Sequence, residues 1–160
     1  IYNRQQKMKP IHEWDLAKVD EAGNFLNYYL HIDQIMTNDI ATAKENDLID
    51  LVANIMDWKQ VKDVPVENAD GELVGLMTAG LLVNYLCKSS RERRMSSRIK
   101  DVMIKNPVCI SPETGISDAL KTMINEKTSC LLVVQDKKLV GMVTDRHFVR
   151  VSAKLLRDLK

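Results

Sequence analysis

The stretch that decides the fold is LVGMVTDRHF, residues 139–148, read beside LVGLMTAGLL at 73–82. Each runs Leu-Val-Gly, two apolar residues and Thr, and the two stand 66 positions apart. A string written twice in 160 residues points to a duplicated structural unit. Each copy follows another apolar run, VKDVPVEN at 61–68 or SCLLVVQD at 129–136, across a polar turn, Asn68 to Gly71 or Asp136 to Lys138. Two short strands around such a turn make a hairpin. A helical stretch closes each copy, Ala79–Cys87 and Asp145–Leu156.

Upstream, Leu48, Leu51, Val52, Ile55 and Met56 fall at i, i+3, i+4, i+7 and i+8, as do Ile116, Ala119, Leu120, Met123 and Ile124. That spacing predicts one apolar stripe on each of two helices. The stripes lie 68 positions apart, as do Asn38 and Asn106, and Glu45 and Glu113. The fall from 68 to 66 assigns two extra residues to the first copy, around Trp58–Val61. Short extended leads, DIATA and PVCIS, open the copies. The chain therefore reads as an α/β (α+β) fold of two βαββα repeats. A repeat this short struggles to bury enough apolar surface alone, so the two are expected to pack face to face about a pseudo-twofold axis.

The order of elements, with VPV at 64–66 and GELVGLMT at 71–78, resembles the cystathionine-β-synthase (CBS) domain, whose tandem pairs are called Bateman modules. The likeness spans about residues 34–157, and MIKNPVCISPETGISDALKTMINEKTSCLLVVQDKKLVGMVTDR, 103–146, follows the family pattern almost throughout. In the first copy Lys44 stands where the family has the proline seen here as Pro112. The expected organisation is an N-terminal helical extension or connector at 1–33, a first repeat at 34–87, a basic linker at 88–100 and a second repeat at 101–157.

A Thr where a strand ends and a helix begins caps the helix with its hydroxyl. It also stands beside unpaired N–H groups and the positive end of the helix dipole, which suit a phosphate. The spacing leaves both readings of Thr78 and Thr144 open, and the preceding glycine permits close approach of neighbouring chain or ligand. The resemblance adds that such pairs bind adenine nucleotides or related adenosine compounds, with a Thr on phosphate and an Asp three residues later on the ribose hydroxyls. Here those later positions are Leu81 and His147. Leu81 accepts no hydrogen bond. His147 offers an imidazole for a hydroxyl or, when protonated, for a phosphate, and Arg146 is a further phosphate partner. Base and sugar positions of the family match Ile40–Thr42 and Lys62–Pro65 in the first copy. In the second they match Cys109–Ser111 and Thr128–Leu131. The candidate ligand-binding residues are thus Thr144, His147, Arg146, Ser111, Cys109, Ser129 and Leu131, with Thr78, Thr42, Lys62 and Pro65 in the first copy.

A net charge of +1 gives no field over the whole protein for nucleic acid or membrane. No apolar run reaches the roughly 20 residues of a membrane span, and a cytoplasmic protein is expected. The chain begins at Ile1, which suggests an excerpt of a longer polypeptide, with a fused or missing N-terminal domain, or a processed chain. Cys87, Cys109 and Cys130 match no metal or disulfide spacing and read as buried free thiols. The linker KSSRERRMSSRIK carries six basic residues against Glu92 and reads as a solvated connector; it has no aromatic to stack on bases, so nucleic acid is not expected. Residues 13–33 put Val19, Ala22, Phe25 or Leu26, Tyr29 and Ile32 on a helical stripe, and the aromatics Trp14, Phe25, Tyr28 and Tyr29 suit an interface or simple packing.

With no nucleophile and base, carboxylate pair or metal cluster, the chain does not read as an enzyme and no cofactor is required. The leading expectation is a homodimeric regulatory module. It would bind AMP, ADP, ATP or S-adenosylmethionine and control an attached domain or partner. The alternative is a CBS-pair dimerisation scaffold that has lost nucleotide binding.

Overall fold

The computed structural model describes residues 31–158. The extension expected at 1–30, with Trp14, Phe25, Tyr28 and Tyr29, lies outside the described residues. In chain order the elements are β1 (Ala43–Lys44), α1 (Ile49–Lys59), β2 (Asp63–Glu67), β3 (Leu73–Thr78), α2 (Ala79–Lys88), α3 (Arg91–Ser96) and β4 (Ile104–Lys105). There follow β5 (Cys109–Ile110), α4 (Ile116–Asn125), β6 (Cys130–Gln135), β7 (Lys138–Thr144) and α5 (Asp145–Asp158). Short 3₁₀ turns, Ile32–Gln34 and Ile99–Asp101, precede each copy. The strands make two sheets, ordered β1-β2-β3-β4 and β5-β6-β7. This is the mixed fold of two repeats expected from the sequence.

The chain divides into two compact units. One holds residues 31–38, 109–133 and 140–158 of the described chain, the other 39–108 and 134–139. In the second of these, Ala43, Ile49, Val52, Met56, Val64, Val66, Met77, Leu82 and Ile99 form the core. In the first, Ile32, Ile35, Ile116, Ala119, Met123, Leu131, Val133, Met142 and Val143 are buried. The lead-in segments are therefore exchanged: Ile32 is buried with the second copy, and Ile99 with the first.

The exchange is hydrogen-bonded. Ile32 N–H donates to Thr114 O at 2.9 Å and Asp33 N–H to Pro112 O at 3.0 Å. Thr37 and Met142 exchange two bonds of 3.0 Å. In the other unit Ile99 N–H reaches Asp47 O at 3.0 Å and Lys100 N–H reaches Glu45 O at 2.9 Å. There β4 pairs with β3 through Gly75↔Lys105 and Leu76↔Ile104. The structural counterpart of Pro112 is thus Glu45, not Lys44.

This arrangement explains the repeated glycine. A Cβ on Gly141 would stand 2.2 Å from Met36 Sδ, and one on Gly75 would stand 2.3 Å from Met103 Sδ. Both glycines exist because a methionine of the exchanged lead-in lies across the strand at that point. The close neighbour is chain rather than ligand.

Two details of the repeat register are corrected. Ile49, Val52 and Met56 are the buried residues of α1, and Ile116, Ala119 and Met123 those of α4. Their offset is 67, not 68. Leu48 and Leu51, expected in the stripe, are 38% and 40% exposed, and Ile124 is 74% exposed. A 3.6-residue period locates an apolar arc but not its centre, and the arc of α1 is wider than its buried part. The offset stays at 67 through Lys62 and Ser129, whose carbonyls accept from Ala79 N–H and Asp145 N–H. It falls to 66 in the hairpin turn, so the first copy's single extra residue lies there and not at Trp58–Val61. The second turn places Asp136 and Lys137 at positive φ, 51° and 64°, as a tight hairpin demands. The longer first turn is organised by Asn68, whose Oδ1 accepts from Asp70 N–H and Glu72 N–H, each at 2.9 Å. It closes through Gly71 at φ 76°.

The basic linker is not a plain solvated connector. Ser90 caps α3 by accepting from Arg93 N–H, and α3 packs against α1.

Replacing Gly75 by Ala is expected to destabilise the protein by about 1–3 kcal/mol, because Ile104 O stands 3.0 Å from the new Cβ in addition to Met103. At Gly141 the three nearest atoms all belong to the flexible Met36 side chain. Met36→Ala should therefore relieve Gly141→Ala, while Met103→Ala relieves Gly75→Ala only in part. Urea unfolding of the four single and two double variants checks this, and purely additive effects at Gly141 would refute the clasp.

Candidate functional site

The candidate residues of the second copy fall within one unit, on the ends of β5, β6 and β7 and the start of α5. β5 runs parallel to β6, pairing Cys109 with Leu132 and Ile110 with Val133. Beyond β5, Ser111 is exposed; its N–H donates to Thr114 Oγ1 at 3.1 Å, and its hydroxyl lies 3.3 Å from the same oxygen. Before β6, Thr128 Oγ1 donates to Cys130 O at 2.9 Å. Ser129 O accepts from Asp145 N–H at 3.1 Å, tying the start of β6 to the first turn of α5. Leu131 is fully buried, so its side chain serves the core and offers a ligand only its main chain.

His147 sits on the third residue of α5 and turns back on Thr144. Its Nδ1 accepts from Thr144 N–H at 3.1 Å and lies 3.0 Å from Thr144 Oγ1. An amide N–H only donates, so Nδ1 is the unprotonated nitrogen and Nε2 carries the hydrogen. His147 thus performs the back-bond that Glu or Gln makes in a capping box. Burial pushes its imidazole below the ordinary range, and the guanidinium groups of Arg150 and Arg146 act in the same direction. A backbone hydrogen bond at Thr144 and, more weakly, the Asp145 carboxylate oppose them; Asp145 Oδ1 is engaged by Arg146 N–H at 2.7 Å. The sequence reading missed Arg150. Its place one turn beyond Arg146 and three residues beyond His147 was the available signal.

The first copy's candidates lie in the other unit. Thr78 caps α2, its hydroxyl accepting Leu81 N–H at 3.1 Å. Lys62 is exposed and its carbonyl accepts from Ala79 N–H at 2.7 Å. Thr42 is half-buried, one residue before β1. Pro65 is buried in β2 opposite Leu76. A proline is admitted there because β1 ends short of it, pairing only with Val66 and Glu67.

Cys87 and Cys109 are exposed and Cys130 is buried, all three as free thiols, which corrects the expectation that all are buried. Partial desolvation of the Cys109 sulfur raises its pKa. Among the described residues no group of His, Cys, Asp and Glu could hold a metal ion, and no helix is long and apolar enough to cross a membrane.

Two repeats with exchanged lead-ins, each ending in a Gly-x-x-Thr strand that feeds a helix, define a tandem CBS pair. The family model named CBS domain matches residues 32–88 and 99–154, and the chain belongs to that family. A homoserine O-acetyltransferase of Methanohalobium evestigatum is 32% identical over 129 residues. The match takes in 80% of this chain but 25% of that protein, so the chain spans about a quarter of that relative's length. Among solved structures, the CBS domain pair of protein MJ0100 in complex with 5′-methylthioadenosine and S-adenosyl-L-methionine has a TM-score of 0.70 and 22% identity. It covers 78% of this chain and 96% of that one. CBSX2 in complex with AMP gives 0.69 and 24%, covering 79% of this chain and 98% of that one.

The state of His147 yields a signed prediction. Its folded pKa is depressed, so the folded chain binds fewer protons than the unfolded one below the ordinary value of 6.5. The associated stability is complete above that value and is lost as pH falls toward the folded pKa. His147→Gln keeps an acceptor for Thr144 N–H and removes the titration. Thermal melts at pH 8 and pH 5 should show a larger loss for the parent than for the variant; equal losses would refute a neutral, inward-bonded imidazole.

Proposed function

We propose that this chain is a regulatory module that binds an adenosine-type ligand through its second repeat and thereby controls an attached domain or partner. The observation that carries the proposal is the tie, in one unit, of the start of β6 to the Thr144–His147 start of α5, where Ser129 O accepts Asp145 N–H beside the inward-bonded His147. The complexes of MJ0100 and CBSX2 with adenosine compounds support the class of ligand. Thr144, His147 and Arg146 would meet the ligand from α5, with Ser129 and the main chain of Leu131 beside them, while Cys109 and Ser111 stand further along β6, opposite and beyond Leu132 and Val133. The neutral imidazole presents Nε2–H, a donor to a hydroxyl or phosphate oxygen that needs no protonation.

The first repeat is proposed as the weaker site. Thr78 caps α2 by accepting Leu81 N–H and keeps its O–H as a donor, but Leu81 has no acceptor for a ribose diol. Leaving such donors unpaired costs on the order of 1–3 kcal/mol, a roughly tenfold to hundredfold loss of affinity. Calorimetric titration with AMP, ADP, ATP and S-adenosylmethionine should give one dominant site. Thr144→Val should weaken it more than Thr78→Val, and the reverse order would refute the assignment. No heat with any of the four ligands would refute the sensing role.

The second reading, a dimerisation scaffold, is favoured by one observation. Leu48, Leu51 and Trp58 stand 38%, 40% and 80% exposed along one side of α1. At i, i+3 and i+10 they form a stripe suited to the same stripe of a second copy. Sedimentation is expected to give a dimer that Leu51→Glu with Trp58→Glu converts to monomer. A parent that stays monomeric at high micromolar concentration would remove both this reading and the homodimer.

A further inference from the structure

The basic segment between the repeats is absorbed by neither reading. The structure orders it. The Tyr85 hydroxyl lies 2.6 Å from Ser97 Oγ, to which it donates, and 3.2 Å from Arg93 O. Ser97 Oγ donates to Arg93 O at 2.8 Å, and Arg94 Nε donates to Ser89 O at 2.9 Å. With the Ser90 cap, these bonds hold Arg91–Ser96 in helical form at the surface, with Arg91, Arg93 and Arg94 exposed. The ion pairs of the described residues, Lys44–Glu67, Lys121–Asp118 and Lys137–Glu72, leave these arginines out. A positive patch is thus presented on an ordered helical backbone, and among the described residues no ion pair neutralises these arginines.

We propose that α3 is a docking surface for an acidic segment of a partner protein, rich in Asp and Glu. All three basic residues of α3 are arginines, whose forked guanidinium matches a carboxylate with two parallel hydrogen bonds. Six residues of helix extend only about 9 Å, too short to follow a nucleic-acid backbone far. Tyr85, the aromatic fastened to this helix, engages Ser97 and Arg93 through its hydroxyl and is half-buried, so its own ring is not free to stack on bases. Order matters because arginines already held in place lose less freedom on binding than those of a loose connector.

The test is fluorescence anisotropy of a labelled Asp/Glu-rich peptide against the full chain. Duplex RNA of matched charge and phosphatidylserine vesicles are run in parallel. The peptide should bind with marked salt dependence. The triple variant Arg91→Glu, Arg93→Glu and Arg94→Glu should weaken it at least tenfold, while Lys121→Glu with Lys127→Glu in the other unit leaves it unchanged. Tyr85→Phe, which alters no charge, should weaken it roughly threefold by loosening the helix; circular dichroism melts confirm that each variant folds. Tighter binding of RNA or vesicles than of the peptide, or equal losses from the arginine and lysine variants, would overturn the proposal.

Discussion

The structure depends on a methionine laid across a glycine, twice. Met36 lies over Gly141 and Met103 over Gly75, and each methionine comes from the lead-in of the opposite repeat. A side chain at either glycine would hold the lead-in away from the strand and break the adjoining backbone pairs, Thr37 with Met142 or Ile104 with Leu76. Because Ile32 and Ile99 travel with these lead-ins and are fully buried, neither repeat has its core complete without residues supplied by the chain beyond the other. The small size of a single repeat leaves little surplus burial to tolerate their loss. The exchange is thus what lets two marginal units form one stable chain.

The same strand carries the candidate chemistry at its far end. Three residues beyond the glycine the strand stops, and the helix that follows begins by donating its first N–H back to the residue before the partner strand, Lys62 or Ser129. The two copies are alike to this point and diverge in the next three positions. Where Leu81 follows, the Thr78 hydroxyl caps the helix by accepting Leu81 N–H. Where His147 follows, the side chain itself supplies the back-bond. A histidine capped from within is neutral and directional, a hydrogen-bond donor outward rather than a floating positive charge.

Much of this was legible in the sequence. The hairpins and helices were marked by period and turn chemistry, and the duplication by a string too long to be chance. The register was harder. Asn38 with Asn106 and Glu45 with Glu113 suggested an offset of 68, but identity at two surface positions carries less weight than burial. α1 misled further because it is apolar on two adjoining sides, and periodicity cannot say which faces the core. The reason for the glycines was invisible, since Met36 and Met103 lie far from them along the chain. The order of the basic segment was invisible too, because it rests on Tyr85 and on a serine cap within a run whose composition alone suggests solvent.

The proposed ligand cluster lies in one unit, while the exposed stripe of α1 and the basic α3 lie in the other. Chain continuity joins them. The β6–β7 hairpin starts at Ser129, beside α5, and its tip, residues 134–139, belongs to the unit that holds α1 and α3. There Leu73 N–H donates to Lys137 O at 3.0 Å, and Lys137 Nζ stands 3.6 Å from Glu72. A ligand bound at the base of this hairpin would bias the hairpin's setting only through its difference in affinity for the alternative settings.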